Sequence, residues 1–175
     1  MENSSFKKHK KPIAGKDVKD QKWAKGIRGH IAKAVKEYAI SDDEGLMVAE
    51  PFANKMYLAN ASAIGVPVSV LTDFEESEFF TKPEIAKMFG VTTRTLQRYS
   101  HKKKLNPQHT EKFLQLAEVV YEGVRVFESK EKFDTWFNKP SYALGGVTPK
   151  SLLTTSYGVE MVLGELNAIE HGIFA

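Results

Sequence analysis

The chain has 175 residues, 42% hydrophobic and 27% charged, with a formal net charge of +3, values ordinary for a globular protein of one large or two small domains. It contains no cysteine, which excludes disulfides, a thiol nucleophile and thiolate metal sites and suits a reducing compartment. No apolar run approaches the roughly 20 residues of a membrane-spanning helix and none near the start could serve as a signal peptide, so a soluble, cytoplasmic protein with no membrane partner is expected.

The charge is segregated. Residues 1–36 carry +8, residues 37–80 carry −8, residues 81–112 carry +6 and residues 113–175 carry −3. Two basic blocks therefore alternate with two acidic ones, a footprint suited to a phosphate backbone. Residues 1–21 are polar and Lys-rich and read as a disordered arm, either adding non-specific DNA affinity or simply solvated. Residues 22–39 place Trp23, Ile27, Ile31, Val35 and Tyr38 on one helical stripe among lysines, which fits packing onto the rest of the chain or lying on a partner. Residues 41–51 form an acidic connector in which Gly45 to Glu50 has the pattern of a short strand. Residues 52–63 are mixed but read as helical. Gly65-Val66-Pro67 breaks the chain, and Val68 to Ser77 reads as a helix with Val70, Leu71 and Phe74 inward.

Residues 81–101 carry most of the chemistry. Thr81 with Glu84 three residues on is a capping box, and Pro83 sits in the first turn, where its missing N–H costs nothing. Ile85, Ala86, Met88 and Phe89 make an apolar face; Gly90 suits the left-handed residue of a sharp exit. Thr92 or Thr93 can cap the next helix, which buries Leu96 and Tyr99. The outward positions are Thr92, Thr93, Arg94, Gln97, Arg98 and His101, followed by Lys102, Lys103 and Lys104. The spacing resembles the helix-turn-helix DNA-binding motif in its small residue (Ala86), turn glycine (Gly90) and two later apolar positions (Leu96, Tyr99). A plain hairpin inside a core would show the same Ile85, Phe89 and Leu96. The basic, hydrogen-bonding outer face favours DNA, with Thr92, Thr93, Arg94, Gln97, Arg98 and His101 toward bases and phosphates, and Lys102 and Lys103 toward phosphates.

Asn106-Pro107 opens a long helix to Phe127 with Phe113, Leu116, Ala117, Val120, Tyr121, Val124 and Phe127 buried. Ser129 opens another carrying Phe133, Trp136 and Phe137. Leu144 to Pro149 is a turn into a short helix capped by Thr148. Thr155 caps the last helix, whose inner stripe is Val159, Val162, Leu163, Leu166 and Ile169, and Gly172 stops it. Helix caps and stops mark nearly every boundary, and β patterning is almost absent. The fold class is all-α.

The order Gly65-Val66-Pro67, Arg94-Thr95-Leu96-Gln97-Arg98, Phe133-Asp134-Thr135-Trp136, Ala143-Leu144-Gly145-Gly146 with Thr148-Pro149, Leu152-Leu153-Thr154-Thr155, Gly158, and Ile169 to Ala175 resembles the Xre/MbcA/ParS antitoxin family, antitoxins paired with RES-domain toxins. The resemblance covers roughly residues 64–175. With the residue pattern, the chain divides into a basic arm and amphipathic helix (1–40), outside the resemblance, a helix-turn-helix DNA-binding domain (41–112) and, as the resemblance implies, a small helical toxin-binding domain (113–175). The resemblance further implies a homodimer on double-stranded operator DNA, repression of its own operon in a bacterial cytoplasm, and a higher-order complex with a RES-domain toxin that consumes NAD or transfers ADP-ribose. Toxin-facing candidates are Leu144, Gly145, Gly146, Thr148, Pro149, Glu170, His171, Gly172 and Phe174. Near Asn167 relatives look basic, a departure that would wire the pair differently. The competing expectation is a stand-alone helix-turn-helix regulator whose C-terminal helices only dimerise.

Catalysis, metals and cofactors are not expected. His9, His30, His101, His109 and His171 are scattered, without metal-ligand spacing. Glu170 and His171 are adjacent, so a helix points them to different faces. No glycine-rich phosphate loop follows a strand.

Overall fold

The computed structural model describes residues 55–99 and 103–173, with Lys22, Lys25, Gly26 and Phe52 besides. Lys22, Lys25 and Gly26 are helical; the remainder of the expected N-terminal helix, the arm and the short strand at 45–50 lie outside the described residues. Among the described residues there is no strand beyond two isolated bridges, and the architecture is all-α.

Helix α1, Lys55–Ile64, ends at Gly65 with φ 85°. A Cβ there would also strike the carbonyl of Leu105, because segments 65–68 and 103–105 run side by side. The Leu105 N–H donates to Val66 O at 2.9 Å and the Val68 N–H to Lys103 O at 3.3 Å. That second bond explains why α2, Val70–Glu76, starts two residues later than its apolar pattern suggests: Val68 is held in the bridge. Val70, Leu71 and Phe74 face inward as expected.

Helix α3, Lys82–Met88, has both halves of its capping box. The Thr81 N–H donates to Glu84 Oε2 at 2.7 Å and the Glu84 N–H to Thr81 Oγ1 at 3.4 Å. Gly90, at φ 66°, supplies the left-handed residue of the exit turn. Thr92, not Thr93, caps α4, Thr93–Arg98; its hydroxyl accepts the Thr95 N–H at 3.1 Å.

Helix α5, Pro107–Phe127, is capped by Asn106, whose side chain accepts the His109 N–H at 2.7 Å. The expected stripe is buried except for Phe127, which is half-buried, and Leu114 and Val119 are buried too. One-sided amphipathic reading misses these because α5 packs against α1 on one side and against α6, Lys130–Phe137, and α8, Ser156–Glu170, on others. The remaining helix, α7, is Pro149–Leu152. Ser129, Thr148 and Thr155 cap α6, α7 and α8 as read.

Phe79 and Phe80, between α2 and α3, bind the two halves of the chain. Phe79 packs edge-on against Phe133 at 5.2 Å and Phe80 against Phe137 at 5.6 Å. A single apolar cluster runs from Phe52 to Leu166. The expected division after residue 112 falls inside α5, and the core continues across it. Trp136, Leu163 and Ile169 of the expected core are only half-buried.

A polar clamp joins the halves as well. Lys150 Nζ lies 2.7 Å from Glu84 Oε1 and 5.5 Å from the centre of the Phe80 ring. Burial alone would push the Glu84 carboxyl up, but hydrogen bonds from Lys150 and Thr81 outweigh it and hold the pKa below the usual carboxylate value.

Gly123 of α5 stands against the fully buried Phe133 ring, and a Cβ there would overlap that ring. Alanine normally improves a helix interior by about 1 kcal/mol over glycine, but overpacking a rigid core costs roughly 1–3 kcal/mol. Gly123→Ala is expected to lower stability in urea denaturation, whereas Gly164→Ala in α8, with nothing within 4 Å of its Cβ, raises it by about 1 kcal/mol. Because Glu84 is depressed in the folded state, its clamp contributes above the unfolded carboxylate pKa and is lost as pH falls through the folded value. Lys150→Met should therefore cost about 1 kcal/mol or less at pH 7, and less as Glu84 becomes protonated in the folded state; a loss that does not shrink on acidification would contradict this.

Candidate functional site

The first surface is the outer side of α4. Its inner side is fixed by Leu96 and Tyr99, both buried. The Tyr99 hydroxyl is hydrogen-bonded to His109 Nδ1 at 2.8 Å, and Phe89 stacks on the same imidazole at 5.4 Å. The start of α5 thus locks the α3–α4 hairpin from behind. With that side committed, Thr92, Thr93, Arg94, Gln97 and Arg98 are all exposed. No described residue forms an ion pair with Arg94, Arg98 or Lys103. Thr92 and Thr95 hydroxyls lie 3.0 Å apart, so the Thr92 hydroxyl is engaged in its cap.

Thr93, Gln97 and Lys103 line one cleft of about 670 Å³ with Ser69, Thr72 and Lys82. Lys103 arrives there because the bridge between Pro67 and Lys104 pins the segment after α4 beside α2. Lys82 has Glu75 at 3.4 Å. His101 and Lys102, expected to join this surface, lie outside the described residues.

The second surface is C-terminal. Ser141 and Val147 pair across a tight turn: the Ser141 N–H donates to Val147 O at 3.0 Å and the Gly146 N–H to Ser141 O at 2.9 Å. Gly145 and Gly146 take φ of 75° and 77° with open space around them, so backbone conformation, not crowding, demands glycine. This turn drives Leu144 into the core and leaves Tyr142 93% exposed. Pro149 is buried and the half-buried Thr148 caps α7. Leu144 and Pro149, expected to face a toxin, therefore face the core instead and hold the turn; Gly145 and Gly146 are exposed.

At the end of α8, the Gly172 N–H donates to Ile169 O and the Ile173 N–H to Ala168 O, with Gly172 at φ 66°. This is the left-handed stop expected of Gly172. His171 Nδ1 sits 2.9 Å from Asn167 O; a carbonyl only accepts, so Nδ1 carries the proton. Glu170 is held by Arg125 through two parallel contacts, the Nη2–Oε2 one at 2.7 Å. Arg125 also reaches Glu122. Hydrogen bonding from Arg125 holds the Glu170 carboxyl below its usual pKa. Phe174 lies outside the described residues.

Sequence reading passed over Tyr157, 81% exposed, and Met161, 49% exposed. The signal was available: both are apolar and both fall off the inner stripe of α8. Of the six exposed large apolar side chains among the described residues, five lie between Tyr142 and Ile173. Among the described residues no group of acidic, histidine or cysteine side chains could hold a metal, and no helix is long and apolar enough to cross a membrane.

Residues 122–172 match the family model described as the Antitoxin Xre/MbcA/ParS C-terminal toxin-binding domain. That segment runs from the second half of α5 to the stop at Gly172, and so contains the turn, α8 and the Arg125–Glu170 contact. The chain is 31% identical over 111 residues to an Antitoxin Xre of Photorhabdus laumondii, covering 62% of this chain and 75% of that protein. It is 28% identical over 148 residues to an Antitoxin Xre of Yersinia enterocolitica, covering 83% of this chain and 97% of that one. A match of this extent, over a segment whose caps, turn and stop are all in place, assigns the chain to the Xre-type antitoxins.

Proposed function

We propose that the chain neutralises a RES-domain toxin through its C-terminal helices and binds double-stranded operator DNA through α4, as a homodimer that represses its own operon. In this reading the toxin consumes NAD or transfers ADP-ribose, and residues 122–172 block it. The antitoxin supplies no catalytic group. The observation that carries the DNA half is α4: Arg94, Gln97 and Arg98 stand exposed on a hairpin whose other side is fixed to α5. Bidentate donors on a rigid helix are the chemistry that reads base edges. Lys103, which lines the cleft, is the proposed phosphate contact. His101 and Lys102 extend this set. On the toxin side, Gly145, Gly146, Thr148, His171, Gly172 and Phe174 remain the proposed contacts, with Leu144, Pro149 and Glu170 positioning them from within the chain.

If α4 reads bases, Arg94→Ala and Gln97→Ala each lose about 1–3 kcal/mol on the cognate operator and little on random DNA, measured by fluorescence anisotropy. Lys103→Ala weakens all sequences alike and reduces the slope of log affinity against log salt by about one. Equal losses on random DNA for Arg94→Ala would remove its base-reading role. For the other half, expressing this chain should reverse the growth arrest and NAD loss caused by its operon's RES-domain toxin. A regulator that merely dimerises would leave the arrest intact.

A further inference from the structure

Helix α8 has two apolar sides but only one is covered. Val159, Val162 and Leu166 are buried against the core. Tyr157 and Met161, four residues apart, stand side by side on the opposite side, as helical geometry dictates. Gly164 continues that stripe, exposed and with nothing within 4 Å of where a Cβ would be. The result is a Tyr and a Met beside a notch, flanked by Glu160 on one edge and Glu165 on the other. Tyr and Met are enriched in the centres of protein interfaces, and apolar side chains exposed together mark such surfaces.

We propose that the Tyr157–Met161–Gly164 stripe of α8 is the docking surface for the toxin, which meets it with an apolar knob for the Gly164 notch and Lys or Arg opposite Glu160 and Glu165. This rests on the antitoxin reading above and deepens it by naming the surface. Charge decides the occupant. The neighbouring cations do not offset the two glutamates, since Lys150 is clamped to Glu84 and Arg125 to Glu122 and Glu170. A second copy docking across a two-fold axis would bring these glutamates toward themselves, which opposes self-association through this stripe. Nucleic acid is repelled for the same reason. The partner is therefore a protein with a basic rim, and the family model places a toxin on this part of the chain.

The test uses the full chain and its operon's RES-domain toxin carrying an inactivating substitution, with affinity measured by calorimetry. Tyr157→Ala should weaken binding about thirtyfold or more, the size expected of an interface anchor. Gly164→Arg should abolish binding while the melting temperature stays level or rises, because the position is helical and open; this separates a lost surface from a lost fold. The double variant Glu160→Lys, Glu165→Lys should bind more weakly and lose its salt dependence. All of these should bind operator as the wild type does. Wild type that fails to bind the toxin overturns the antitoxin reading. Wild type that binds, with Tyr157→Ala and Gly164→Arg binding equally well, overturns this surface alone. So does Gly164→Arg abolishing self-association in sedimentation while toxin binding persists, which would give the stripe to a second copy.

Discussion

The structure depends on one helix being buried from more than one side. Helix α5 buries ten residues from Thr110 to Val124, and a helix apolar over so much of its circumference cannot stand without neighbours on each side. α1 covers one side; α6 and α8 cover others. The same helix begins behind α4, where His109 meets Tyr99 and Phe89, and finishes beside the end of α8, where Arg125 meets Glu170. It is a rod linking the two surfaces. Core packing density then makes each surface sensitive to the other's side of the core, since a close-packed interior has few voids to absorb a shift.

Two further joints reinforce the rod. Phe79 and Phe80 enter the aromatic group of α6, and Glu84 at the start of α3 is clamped by Lys150 at the start of α7. Glu84 is also the reciprocal half of the α3 capping box. One carboxylate thus fixes both the entry to the α3–α4 hairpin and the helix that follows the 141–147 turn. The two surfaces are held in register by neighbours far apart in sequence.

Much of this was legible locally. Thr81 with Glu84, Thr92, Asn106, Ser129, Thr148 and Thr155 each announce a helix start with a side chain two or three residues from the N–H it caps. Gly90 and Gly172 announce left-handed exits. Such signals act within one turn, so a sequence displays them whole. Burial by partners distant in the chain is not displayed. Leu114 and Val119 of α5, Phe79 and Phe80, and the inward turn of Leu144 and Pro149 all depend on which helix arrives opposite. The Arg125–Glu170 and Glu84–Lys150 pairs span 45 and 66 positions, and no spacing rule finds them. The division expected after residue 112 falls within α5, because a charge boundary on the surface says nothing about the interior beneath it.

The central claim is that one body holds DNA at α4 and toxin at α8. Hydrogen–deuterium exchange of the full chain, taken free, with operator and with inactive toxin, tests it directly. The account predicts slowed exchange across residues 92–103 with operator and across residues 156–173 with toxin, each segment responding chiefly to its own partner. Toxin slowing residues 92–103 while leaving 156–173 unchanged would contradict it.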